Sequence, residues 1–215
     1  MHLPKLAAFL LDQLLARVAI TREPDFIVGA DSPGGPYLRR WYLTPWRRLQ
    51  TRLRERAQAS PTRRNRTAAS VIGWMPNLYL HQFLRDDDDR ALHDHPSWAA
   101  SFILEGCYIE HTIAAGGIHS LNVFRAGSLR FLPTRHAHRI ELDHALFLKG
   151  NAYDENGDYL GTDYRRGPKL PCWTLFLFGP TVRNWGFHCP DSGWIPWQQF
   201  TAVNKPGEVG PGCDA

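Results

Sequence analysis

Hydrophobic and polar positions change their rhythm along this chain. Over residues 5–18, Leu6, Phe9, Leu10, Leu14 and Val18 recur at helical spacing and predict an amphipathic N-terminal helix. A loop centred on Ser32-Pro33-Gly34-Gly35-Pro36 follows. Tyr37 to Leu43 is dense in aromatic residues and predicts a strand. Pro45 stops it, and Trp46 to Ala59 predicts a short Arg-rich helix. Ser60 to Thr67 is polar and basic, a loop by composition. From Asn77 the pattern becomes one of short apolar runs punctuated by Gly, Pro and Asp. Strands are expected over 77–85, 99–112, 120–124, 128–132, 139–142, 145–148 and 172–178. Asp86 to Asp89 reads as a solvated turn, and Asp154 to Pro171 as a polar excursion between two strands. No solenoid repeat is present.

The resulting organisation is an N-terminal helix and Arg-rich extension over 1–76, a β-sandwich or barrel over 77–200 and a disordered tail over 201–215. Composition agrees with it. Among 215 residues, 43% are hydrophobic and 21% charged, which excludes a wholly disordered chain or a fibre. Eight Trp, sixteen Pro and eighteen Gly favour a β-rich fold over a helical bundle. No apolar run reaches the roughly 18–20 residues of a membrane span. The best candidate, Leu6 to Ile20, contains Asp12, Gln13 and Arg17, so the expectation is a cytoplasmic protein without a membrane partner. The four Cys, at 107, 172, 189 and 213, show no CxxC and no regular spacing, and are expected to be free thiols in a reducing compartment.

Charge is unevenly placed. The net charge is +4, but Arg39 to Arg66 holds ten Arg against the single acid Glu55. That stretch carries +9, against −5 for the remainder of the chain. Nucleotide or nucleic-acid contact through Arg39–Arg66 is one reading, and a solvated helix face is the other.

The sharpest chemical feature is His93-Asp94-His95. On a strand, residues i and i+2 share a face, so the two imidazoles can grip one metal ion while Asp94 points away. Downstream, Gly106 lies eleven residues after His95, and Gly127 is followed by Pro133 and His138. This spacing resembles the two motifs of the cupin superfamily. His93, His95 and Gly106 match the first motif, and Gly127, Pro133 and His138 match the second. The match covers about residues 77–150. The stretch from Phe178-Gly179-Pro180 to Gly193-Trp194 is similar to segments of uncharacterised small cupins of phages and bacteria.

Two positions depart from the pattern. Ala99 stands where the family has a Glu ligand, and Arg135 where the second motif has Gly. The resemblance therefore implies a mainly β jelly-roll (double-stranded β-helix) barrel holding a metal on three histidines, His93, His95 and His138. His136 competes for the third place. Glu110 and Glu141 are the nearest carboxylates for a fourth ligand. Cupins with this ligand pattern include thiol dioxygenases, which resemble cysteine dioxygenase. A carboxylate two residues after the first His, as in 2-oxoglutarate oxygenases, is missing.

The chemistry implied is that of a non-haem iron(II) oxygenase, with zinc, manganese or nickel as alternative ions. The substrate expected is a small anionic or nucleotide-like molecule. Arg135 would orient its anionic end, and Tyr108 would supply a phenol near the metal. The alternatives are a non-enzymatic metal- or ligand-binding cupin, or a zinc or manganese isomerase or hydrolase. A homodimer is compatible with either. His81 and His111 read as structural, His188 and Cys189 as held in a turn before Pro190, and Arg139 as a second cation beside His138.

Overall fold

The computed structural model describes residues 3–32, 34–87, 91–114, 116–202 and 210–214, without the side chains of 148, 152 and 163. In chain order, helix α1 (Pro4–Leu14) runs into a π-helical turn (Leu15–Ala19), followed by strands β1 (Phe26–Val28) and β2 (Leu38–Tyr42). Helices α2 (Trp46–Ala59) and α3 (Arg63–Gly73) come next. Strands β3 (Asn77–Phe83), β4 (Leu92–His93), β5 (Ala99–Glu105), β6 (Cys107–Ala114), β7 (Ile118–Arg125), β8 (Leu129–Leu132) and β9 (Arg139–Leu142) follow. The chain continues with β10 (His144–Tyr153), β11 (Tyr159–Lys169), β12 (Cys172–Phe178), β13 (Gly186–Cys189), β14 (Gly193–Pro196) and the short helix α4 (Trp197–Phe200).

The strands form the mainly β, antiparallel architecture expected. One sheet has six strands in the order β1-β2-β3-β12-β5-β8. Two three-stranded sheets, β14-β13-β4 and β7-β6-β9, are joined at a single antiparallel bridge between His93 and His138. There His93 N–H donates to His138 O at 2.8 Å, and His138 N–H to His93 O at 2.9 Å. The bridge makes a second composite sheet of six strands, β14-β13-β4-β9-β6-β7. Its inner face meets that of the first sheet. Tyr108, Ile140 and Leu142 pack there against Leu38, Phe83, Ile103 and Cys172. Two facing antiparallel sheets with crossing connections are the jelly-roll arrangement.

Strand alternation sorts each inner face from its outer one. On β5, Ala99, Ser101 and Ile103 point inward, whereas Phe102 and Leu104 pack with Leu80 and Trp41 against Ala7 and Leu11 of α1. The N-terminal helix thus covers the outside of the first sheet. Both motif glycines are required by the backbone. Gly106 has φ +82°, and a Cβ there would lie 2.7 Å from Pro171 O. Gly127 has φ +90°, and a Cβ would lie 2.4 Å from Pro4 N, where the chain runs into α1. Gly106 also breaks the single strand expected over 99–112 into β5 and β6.

Other expectations are corrected. Residues 60–67 are no simple loop: Thr62 accepts a hydrogen bond from Asn65 N–H at 3.2 Å and caps α3, with Pro61 just ahead. The polar stretch 154–171 contains β11, which pairs with β10 from His144↔Lys169 to Tyr153↔Tyr159. Asp86 and Asp87 are structural acceptors, for Leu142 N–H at 2.7 Å and Ile140 N–H at 2.6 Å. The rest of that acidic run, 88 and 89, lies outside the described residues. Cys189 and Cys213 form a disulfide, contrary to the free thiols expected, while Cys107 and Cys172 are free. The bond ties Gly212–Asp214 to β13, and Ser192 Oγ donates to Cys213 O at 2.9 Å. Of the expected disordered tail, residues 203–209 and 215 lie outside those described. Among the described residues, no helix is long and apolar enough to cross a membrane.

Candidate metal centre and its cavity

A cavity of about 1160 Å³ opens between the two sheets. His93, His95 and His138 line it, and their candidate ligand nitrogens all lie within 4.8 Å of one another. β4 ends at His93, and the chain then turns to bring His95 to the same place. His138 arrives across the bridge from the strand opposite. The three histidines singled out in sequence are therefore gathered by the pairing that unites the second sheet.

Polar groups stand near each ring. His95 Nε2 lies 2.9 Å from His138 Nε2. The other nitrogen of His138, Nδ1, lies 2.8 Å from Glu110 Oε1, with Glu110 buried on β6. Nδ1 also has an Arg130 amino group at 3.4 Å, so a carboxylate and a guanidinium both stand on the side of the ring away from His95. His93 Nδ1 lies 3.7 Å from Asp87 Oδ2. Burial holds the His95 and His138 imidazoles well below their ordinary range, and the neighbouring His93 and the Arg130 guanidinium push them the same way. Neutral imidazoles are the form that binds a metal. The donor set fits one divalent ion.

Ala99 sits on the inward face of β5, fully buried, and offers no ligand. Glu110 does not replace the absent carboxylate, since it approaches His138 from the ring's far side. His136 joins a different group, with Nε2 2.9 Å from Glu110 Oε1 and 2.7 Å from an Arg130 amino group. Glu110, His136 and His138 form a second cluster of ligand-type atoms. There the Arg130 guanidinium, ion-paired with Glu110, already supplies the cation. Glu141 lies on the outer face, accepting from His111 at 3.0 Å, and Arg139 reaches the same histidine.

Two expected roles are redistributed. Arg135 is exposed on the β8–β9 connection and does not line the cavity, so it is not the cation that faces the centre. The buried cation there is Arg130. Tyr108 does line the cavity, with its hydroxyl engaged by Arg130 and Ser101. Burial raises that phenol, so it stays protonated. Asp94, just past the end of β4, faces away from the cluster. It accepts from Gly186 N–H at 3.0 Å, Trp194 Nε1–H at 3.1 Å and Arg183 at 2.8 Å, and His188 Nε2 lies 3.1 Å away. His188 and Cys189 belong to β13, not to a turn. On the other side of His93, Trp185 and Phe187 form an aromatic wall backed by Trp197 and Phe200.

No protein-family model matches the chain, and no curated protein sequence matches it. Among solved structures, a Bacillus subtilis oxalate decarboxylase studied for its Mn(II) centres is similar at 12% identity and TM-score 0.37, covering 78% of this chain and 30% of that one. A Lactobacillus farciminis oxalate decarboxylase with formate gives 12% identity and TM-score 0.35, covering 69% and 30%. A recombinant oxalate oxidase with glycolate gives 13% and 0.32, covering 52% and 45%. The chain thus spans less than half the length of each of these proteins.

Sequence reasoning passed over Arg130, and named Arg40 only as one of the ten arginines of Arg39–Arg66. Arg130 alternates with Leu132 on the inner face of β8, and Arg40 with Leu38 on that of β2. That period-two pattern is the signal that separates both from the exposed arginines around them.

Proposed function

We propose that this protein is a metal-dependent cupin whose His93, His95 and His138 hold one divalent ion. The reaction assigned is that of a non-haem iron oxygenase on a small anionic or nucleotide-like molecule. The observation that carries the reading is the convergence of three imidazoles in one large cavity. Iron(II) bound there would bring substrate and O₂ together at its remaining positions.

The chain's own residues supply the rest. Glu110 stands behind the His138 ring, and Arg130 balances the Glu110 charge. The aromatic wall of Trp185 and Phe187 shields His93 from water. Three neutral ligands leave the ion its full charge, so an anionic substrate group is favoured there.

The test is elemental analysis of protein purified without chelator, followed by oxygen-uptake assays with iron restored. About one ion per chain and O₂ consumption with an anionic substrate are expected. Protein that takes up no iron, zinc, manganese or nickel overturns the metal reading. Metal uptake without any turnover favours a ligand-binding cupin.

A further inference from the structure

We infer that Arg40, Arg47 and Arg54 form an anchoring subsite for a phosphoryl group of the substrate, at the part of the cavity reached past Phe176 from the histidine cluster. The inference rests on the reading of this cavity as the substrate site and adds the class of substrate.

Apart from Arg85, which donates to Gly35 O and sits over the Tyr37 ring, the cavity's cations fall into two sets. Arg130 is paired with Glu110, Arg183 with Asp94, and Lys169 with Asp86 and Glu141. Those charges are balanced within the chain. Arg40, Arg47 and Arg54 also line the cavity, and among the described residues none of them has a carboxylate partner. The two acids on the lining, Asp86 and Asp87, are spent on the β9 backbone and Lys169. Arg40 and Arg47 are partly buried and Arg54 is exposed at the rim; a partly buried cation without a counter-charge is costly, and the deficit is met when a ligand brings the anion.

Arg40 is held for that purpose. Its Nε donates to His81 Nε2 at 2.8 Å, and its guanidinium carbon sits 4.9 Å from the Tyr79 ring centroid and 5.9 Å from that of Phe26. His81 is buried and burial keeps it neutral, so it acts as acceptor and leaves both terminal amino groups of Arg40 free. Such a fork matches two oxygens of a phosphoryl or carboxylate group. Arg47 and Arg54 lie seven residues apart, on one face of α2. Gln50 lies between them, buried, and locks that face by donating to Ile72 O and Met75 O, both at 3.0 Å.

Three uncompensated guanidinium groups suit a phosphoryl dianion or a diphosphate, whereas one carboxylate would leave two of them unbalanced. The placement favours a small molecule over a polymer. Arg40 is in the cavity wall, while Arg52, Arg56, Arg63 and Arg64 are exposed and do not line it. Phe176 separates the two ends: its ring lies 4.9 Å from His81 and 6.4 Å from His95. A substrate with a metal-binding head and a phosphoryl tail would span that ring.

Inorganic pyrophosphate is the probe, titrated calorimetrically into the full-length protein as purified, at two salt concentrations. Wild type is expected to bind it with an affinity that falls as salt rises. Arg40→Gln and the double variant Arg47→Gln/Arg54→Gln should each weaken binding at least tenfold. The double variant alters only a helix surface, so it keeps the test decisive if Arg40→Gln fails to fold. His93→Ala/His95→Ala should bind pyrophosphate within twofold of wild type, so loss of metal and loss of phosphoryl binding are read separately. Absence of pyrophosphate binding, equal binding by the arginine variants, or succinate binding as tight as pyrophosphate would overturn the inference. A single-stranded oligonucleotide that binds more tightly, and depends on Arg52 and Arg56 in place of Arg40, would overturn the small-molecule assignment.

Discussion

Glu110 Oε1 stands 2.8 Å from Nδ1 of His138, a ring whose opposite nitrogen is 2.9 Å from His95 Nε2. One buried carboxylate therefore stands behind the histidine that joins the two halves of the second sheet. Glu110→Gln keeps the shape but removes the negative charge behind the ring. Metal affinity should fall by roughly 10- to 100-fold, the usual effect of losing a carboxylate behind a ligand. A competition titration against a chromophoric chelator measures it. Unchanged affinity would show that Glu110 serves only to balance Arg130.

Asp94 and its two flanking histidines should separate cleanly. Asp94 is buried, with Arg183, Trp194 and the Gly186 amide as partners, and faces away from the cluster. Asp94→Ala should destabilise the fold by about 3 kcal/mol, because it leaves buried donors unpaired. Metal stoichiometry of the protein that remains folded should stay near one. His93→Ala should do the reverse, losing metal with a smaller loss of stability in metal-free protein. Denaturant melts and elemental analysis of the same samples decide between the two patterns.

These assignments show what local pattern could and could not reveal. His93, His95 and His138 were legible because two residues of strand spacing and two glycine-anchored turns are local facts. The glycines proved to be demanded by backbone approach at Pro171 and Pro4. Arg135 misled because adjacency in sequence to His138 says nothing about which way a loop residue points. Glu110 and Arg130 are twenty residues apart and meet only through the facing of two sheets. Helix α3 was hidden by composition: its basic first turn reads as loop unless Thr62 is recognised as its cap. The Cys189–Cys213 pair, with a separation of 24, carries no local signature at all.

That disulfide gives a further expectation. It closes the C-terminal segment over β13, the strand that pairs with β4 and whose Phe187 lies opposite His93. A loop of this length contributes about 3 kcal/mol in the chain-entropy account. Reduction, or Cys189→Ser with Cys213→Ser, should lower the melting temperature. Reductant should leave the double variant unmoved. A wild type whose melting is also indifferent to reductant would show that the bond does not form in the purified protein.

The last expectation concerns pH. His81, His95 and His138 are all held below the ordinary histidine value by burial first, with positive neighbours adding to it. In the unfolded chain each takes up a proton below about pH 6.5. In the metal-free fold each stays neutral to lower pH. Within that window the unfolded state holds more protons, so stability rises with pH and is lost as pH falls. Above about pH 6.5 both states are neutral and the three histidines contribute no slope. Each suppressed protonation is worth up to about 1.4 kcal/mol per pH unit. Chelator-treated protein should therefore show an unfolding free energy that is flat from pH 7 to 8.5 and declines steeply from about 6.5 to 5. His81→Gln retains an acceptor for Arg40 but cannot titrate, and should reduce the slope by about a third. A profile that is flat through this range would mean that the histidines take up protons inside the fold, and that the centre is more open to water than its burial indicates.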